Sequence, residues 1–171
     1  MNFTYKFLVK VVFSIRNKFW LLVYKGYRNK YKIHESFWFG GESISFYGDG
    51  EIEIDKCSYI GRYSSIQSSK GCKVKIGKNV AISHYVMIYT ENKIADQNFN
   101  ENRIVESKKG NVEIGDGCWI GANVFIKEGV KIGANCVIGA NSVVVKDLPS
   151  ESICSGIPAK VLRFKEKFLN E

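Results

Sequence analysis

Few side chains in this sequence suit proton transfer or nucleophilic attack near neutral pH. They are two histidines, His34 and His84, and five cysteines at positions 57, 72, 118, 136 and 154. An imidazole has an ordinary pKa of about 6.5, which makes it the natural general base at neutral pH. His34 stands in Tyr31-Lys32-Ile33-His34-Glu35, where no periodic pattern places it. His84 is the third residue of Ile82-Ser83-His84-Tyr85-Val86-Met87, and its side chain is predicted to point outward. The cysteines form no CxxC pair and no Cys-His ligand spacing, so no metal site is indicated. Their odd number rules out a complete disulfide framework and points to a reducing compartment.

The element that must position His84 is a repeat of six residues. From Ile114 an aliphatic side chain returns at Ile120, Ile126, Ile132, Ile138 and Val144. Each unit carries a small or apolar residue four places later: Cys118, Val124, Val130, Cys136, Ser142 and Leu148. The same register runs through Ile54, Ile60 and Ile66 and again through Ile76, Ile82 and Ile88. No helix of period 3.6 and no plain strand of period 2 produces this pattern; short strands broken by tight corners do. Gly and Asn at the corners tolerate positive φ. First and fifth positions should face inward. If three units close one triangular coil, residues 18 apart stack, so Cys118 should lie over Cys136 as a buried apolar pair.

Two interruptions break the register. The spacing from Ile66 to Ile76 is ten, which predicts a bulge around Lys70 to Lys73. Residues 94–111, rich in Asn and charge, cannot be coil and should project as a loop. The organisation expected is a basic N-terminal segment and lead-in at 1–47, a β-helix domain at 48–159, and a C-terminal capping helix at 160–171.

The net charge of +8 is localised. Residues 1–33 hold eight cations (Lys6, Lys10, Arg16, Lys18, Lys25, Arg28, Lys30, Lys32) and no carboxylate, so 17 cations and 17 carboxylates remain in the other 138 residues. Read as a helix, this arm is amphipathic, suited either to an anionic membrane surface or to packing on the body. It carries no recognised nucleic-acid module, and no nucleic-acid partner is expected. Its longest apolar run, Phe19 to Tyr24, falls far short of the roughly 20 residues that span a bilayer. Scattered cations and the lack of a small-residue cleavage site argue against a signal peptide. The expected location is the cytoplasm, with a peripheral position on the inner face of the membrane open.

Three strings carry a resemblance: Ile114-Gly115-Asp116-Gly117-Cys118-Trp119-Ile120-Gly121-Ala122, Ile138-Gly139-Ala140-Asn141-Ser142-Val143-Val144-Val145-Lys146-Asp147, and Gly156-Ile157-Pro158-Ala159-Lys160-Val161-Leu162-Arg163. Over roughly residues 48–163 the chain resembles the hexapeptide-repeat acyltransferases. The resemblance implies an all-β fold, a left-handed parallel β-helix, and a homotrimer that binds acetyl-CoA in a groove between subunits. It implies that the backbones of Ala122 and Ala140 receive the pantetheine arm. Lys146 matches the Lys of the family's Thr-Lys-Asp string, with Val145 in place of the Thr, and Lys160 and Arg163 are placed to meet the donor's phosphates.

The placement of His84 is similar to that of the catalytic histidine of the UDP-N-acetylglucosamine acyltransferase branch. In the galactoside and maltose O-acetyltransferase branch the histidine stands where the loop begins, and here Lys93 occupies that place. With an ordinary pKa near 10.4, a lysine is a poor base unless strongly desolvated. His84 is therefore the expected general base, with Asn92, Lys93 and Trp119 on the acceptor side. Glu91, Asp96, Glu101 and Glu113 are unranked candidates for orienting the imidazole. Two histidines are too few for the three-histidine zinc site of β-helical carbonic anhydrases. The expected activity is O-acetylation of a saccharide hydroxyl in surface polysaccharide synthesis. An amino-sugar N-acetyltransferase and a noncatalytic β-helical scaffold are the alternatives.

Overall fold

A computed structural model describes residues 3–100 and 105–166, with side chains described from residue 4. It begins with one long helix, α1 (Phe3–Lys30). Five coils follow, each of three short strands. They are β1 (Lys32–Ile33), β2 (Trp38–Gly40) and β3 (Ser45–Tyr47); β4 (Glu51–Ile54), β5 (Tyr59–Gly61) and β6 (Ser65–Gln67); and β7 (Lys73–Ile76), β8 (Ala81–Ile82) and β9 (Met87–Tyr89). A hairpin, β10 (Glu91–Lys93) and β11 (Ser107–Lys109), interrupts them. The last coils are β12 (Val112–Ile114), β13 (Trp119–Ile120) and β14 (Phe125–Ile126), then β15 (Lys131–Ile132), β16 (Val137–Ile138) and β17 (Val143–Val144). The chain closes with β18 (Ser152–Gly156) and β19 (Ala159–Phe164).

The parallel β-helix expected from the hexads is the observed fold. First, second and third strands of successive coils pair into three parallel sheets, A, B and C. Stacking at 18 residues holds from coil four to coil five, as in Glu113 on Lys131, Trp119 on Val137 and Phe125 on Val143. The interior is a set of aliphatic columns; Ile60, Ile82, Ile120 and Ile138 are buried in one and Ile66, Ile88, Ile126 and Val144 in another. Corners turn through residues of positive φ, among them Asn79, Asn123, Asn135 and Asn141. An Asn tolerates this left-handed region better than most side chains.

Three boundaries differ from the sequence reading. The first coil starts at Lys32, inside the segment assigned to the lead-in. It fills its interior with Phe37, Ile44 and Phe46 in place of evenly spaced Ile, which hid it from a search for hexads. The excursion at 94–111 is anchored by the antiparallel ribbon Glu91↔Lys109, Asn92↔Lys108 and Lys93↔Ser107, and Gln97 closes its neck by bonding the backbone of Ile94 and Glu106. The expected C-terminal helix is instead β19, antiparallel to β18 through pairings such as Ser155↔Lys160 and Gly156↔Ala159. A strand satisfies the open edge of sheet B, which a helix would leave unpaired; residues 167–171 of the expected helix lie outside the described part.

Helix α1 caps the other end. Tyr24 stacks on Phe39 at 4.2 Å and Tyr27 on Phe46 at 5.2 Å, while the Tyr24 hydroxyl donates to Gly41 O at 2.7 Å. Arg28 donates to His34 O and Phe37 O, fixing the helix end to the first corner. Earlier contacts with the body come from Trp20 and Val23 against the core and from Arg16 to Glu42. Toward its start Phe7, Leu8, Val12, Ile15 and Phe19 are exposed among the cations. Among the described residues no helix is long and apolar enough to cross a membrane.

Candidate active site

The corner between sheets B and C gathers several of the candidate residues. Backbone bonds run down it from rung to rung: Tyr63 N donates to Glu42 O, Tyr85 N to Arg62 O, Asn123 N to His84 O, and Asn141 N to Ala122 O. Glu42, Arg62, His84, Ala122 and Ala140 thus form one column, with neighbouring rungs about 5 Å apart. His84 is exposed on the third rung. Its ring rests on the bare backbone of Gly61, where a Cβ would collide with Nδ1. Tyr85 stacks on Tyr63 at 5.0 Å beside it.

Below His84 the column offers only small residues. Ala122 is half-buried, Ala140 is exposed, and the turn from Gly156 to Ala159 ends the corner and leads directly into Lys160. An imidazole followed by two methyl-sized rungs leaves a shallow track beside backbone amide groups. Trp119 projects from the adjoining face of sheet B, 57% exposed between Ala81 and Val137. Arg163 is farther along β19, opposite Ile153.

Other candidates lie on the next corner, between sheets C and A, so one copy of the chain does not bring them to His84. Lys146 is exposed there after β17. Lys93 runs along the hairpin and donates to Val105 O at 3.4 Å. The Asn92 amide donates to Glu128 Oε2 at 2.6 Å, and Glu128 is itself buried and paired with Lys127, so Asn92 pins the hairpin to coil four. Glu91 accepts from Ser69 and faces Lys109; the Ser69 and then the Ser107 hydroxyl hold its carboxyl below the usual range. Glu113 pairs with Lys131 on sheet A. Glu101 lies outside the described residues. Among the described residues no side chain hydrogen-bonds the His84 ring.

His34 lies at a third corner, bonded to Ser36 Oγ at 2.8 Å. Cys118 and Cys136 stack inside the coil as expected, and the hydrogen bond with Cys136 together with burial pushes the Cys118 thiol up, away from nucleophilic use. Among the described residues no cluster of His, Cys, Asp and Glu can hold a metal ion. Arg62 was missed in the sequence because its rung is 22 residues from His84, a spacing lengthened by the bulge after Ile66.

Comparison with known proteins agrees with this architecture. Residues 111–146 match the family described as bacterial transferase hexapeptide (six repeats). The crystal structure of a hexapeptide-repeat-containing acetyltransferase from Vibrio cholerae is 30% identical, with a TM-score of 0.65 over 75% of this chain and 71% of that one. The dTDP-4-amino-4,6-dideoxy-D-glucose acyltransferase of Escherichia coli is 36% identical over 129 residues, 72% of this chain and 66% of that protein. A galactoside acetyltransferase solved in complex with coenzyme A is 25% identical, with a TM-score of 0.57 over 78% of this chain and 64% of that one. The chain belongs to the hexapeptide-repeat transferase family. It spans about half the length of several of the curated relatives it matches.

Proposed function

We propose that the protein is an acyltransferase that moves an acetyl group from acetyl-CoA to a hydroxyl of a saccharide, with His84 as general base. The observation that carries this reading is the column His84, Ala122, Ala140 on one exposed corner. An acceptor hydroxyl beside the imidazole gives up its proton as its oxygen attacks the thioester carbonyl. The C–S bond then breaks, and the imidazolium returns the proton to the departing thiolate. Backbone N–H groups of the corner are suited to hold the carbonyl oxygen while it carries negative charge. The pantetheine arm runs past Ala122 and Ala140, and Lys160 and Arg163 meet the donor's phosphates.

In this reading the working unit is a homotrimer. The candidate residues fall on two corners, and a second copy supplies the C–A corner with Lys93 and Lys146 to the His84 corner of the first. The apolar outer face of sheet B, with Trp38, Tyr59 and Trp119 exposed, supports burial against another copy. The exposed apolar and cationic part of α1 supports a peripheral seat on an anionic inner-membrane surface, where saccharides for surface polysaccharides are assembled.

Incubation with acetyl-CoA and paired hydroxy and amino sugars, read by mass spectrometry and alkaline lability, tests the reaction. An alkali-labile ester is expected. An alkali-stable amide would favour the amino-sugar N-acetyltransferase reading, which the similarity to the dideoxy-amino-glucose acyltransferase supports. No transfer and no coenzyme A binding would leave only a scaffold.

A further inference from the structure

Between α1 and the first coil lies a cleft of about 340 Å³, lined in part by Arg16, Trp20, Tyr24, Gly41, Glu42 and Arg62. It has the size of a small-ligand site. Its floor is held by the Tyr24 hydroxyl on Gly41 O and by Tyr24 stacked between Trp20 and Phe39. Of its three charges, two cancel: Arg16 Nε lies 2.8 Å from Glu42 Oε2. Arg62 has no charged partner among the described residues. Its stem crosses Gly41, where an added Cβ would stand 3.1 Å from Arg62 Cβ and 3.4 Å from Nε, so the guanidinium is led into the cleft by the missing side chain.

This cleft opens on the same corner column as His84, with Arg62 one rung away, about 5 Å along the stack. We infer that it is an acceptor subsite, and that the acceptor is an acidic saccharide whose phosphate or carboxylate is held by Arg62 while a hydroxyl about one sugar ring away meets His84. The inference rests on the acyl-transfer reading of His84. A planar guanidinium takes either oxyanion through two parallel hydrogen bonds. Glu42 faces the same space and can accept from a sugar hydroxyl, and Trp20 offers an apolar face to the ring.

Calorimetric binding of glucose 1-phosphate, glucuronate and methyl glucoside to the full chain tests the site without any turnover. At least one anion should bind about 10- to 100-fold more tightly than methyl glucoside, the scale of a charge-assisted contact. Glucose 1-phosphate ahead of glucuronate would assign a phosphate, and the reverse a carboxylate. Arg62→Ala should erase the preference and Arg62→Lys restore part of it, with coenzyme A affinity and circular dichroism unchanged. Equal binding of charged and uncharged sugars, no binding of either anion, or a preference that survives Arg62→Ala would overturn the inference. Intact anion preference without acetyl transfer to any acceptor would instead count against the acyl-transfer reading.

Discussion

Sheets A and B are built on separate inward columns of the same aliphatic kind and present opposite surfaces. Along sheet A the outward residues in register are Lys32, Glu53, Lys75, Glu113 and Lys131, alternating in sign at every rung. Along sheet B they are Trp38, Tyr59, Ala81, Trp119, Val137 and Ile153, with no charge until Arg163 on β19. In-register parallel strands bring like residues to within one rung, so a charged face must alternate or repel itself. Sheet A is complete as a solvated surface, with Lys73 bonded to Glu53 and Lys131 3.4 Å from Glu113. Sheet B is not: Trp38 is 65% and Trp119 57% exposed. The coil dictates what faces inward; assembly and chemistry are written in what faces out.

Breaking the apolar face should have the largest effect. Trp119→Glu places a carboxylate at the centre of sheet B and should turn the proposed trimer into a monomer at micromolar concentration, because a buried aromatic anchor contributes about 2 kcal/mol or more to an interface. Glu113→Gln on sheet A should leave the assembly intact. Sedimentation velocity reads both, and two identical profiles matching the parent would erase the distinction between the faces.

The next effect concerns α1, whose exposed cations should each contribute about 1 kcal/mol to anionic membrane binding. Replacing Lys6, Lys10 and Lys18 by Ala should weaken cosedimentation with phosphatidylserine vesicles on the order of 100-fold at low salt. Unchanged partitioning would exclude the membrane seat. On sheet A, Lys75→Glu lines up three carboxylates with Glu53 and Glu113 and should cost about 1 kcal/mol of stability in urea melts, with salt recovering part of it.

The smallest effect is pH-dependent. The hydrogen bond from Lys73 holds the Glu53 carboxyl below its usual range, and its counterpart pushes the Lys73 ammonium up. The Glu53 contribution is therefore present above the ordinary carboxylate pKa and is lost as pH falls through the lowered value. The Lys73 contribution is lost only as pH rises through its raised value. Both groups are partly exposed, so Lys73→Met should cost less than about 1 kcal/mol at pH 7, with the difference from the parent vanishing in acid.

The coils from Ile114 to Leu148 were legible because every corner there spends the same number of residues, so stacking partners could be counted. Coil one was not, since Phe37 and Phe46 replace aliphatic residues and its corners vary in length. Val161, Leu162 and Phe164 fit a helix face or a strand edge equally well, and only the unpaired edge of β18 decides for the strand. Ala122 and Ala140 came from the family resemblance, and only the backbone bonds from rung to rung put them in one column with His84. Separating Lys146, Asn92 and Lys93 onto another corner needed the three-sided count, and finding Arg62 needed the bulged coil before His84.

In the proposed reaction the His84 imidazole is the base. Comparing His84→Ala with the parent for release of coenzyme A thiol from acetyl-CoA in the presence of acceptor, alongside the coenzyme A dissociation constant, tests it most directly. Turnover should fall by a factor on the order of 100 or more with donor affinity nearly unchanged. Equal turnover in the two proteins would contradict it.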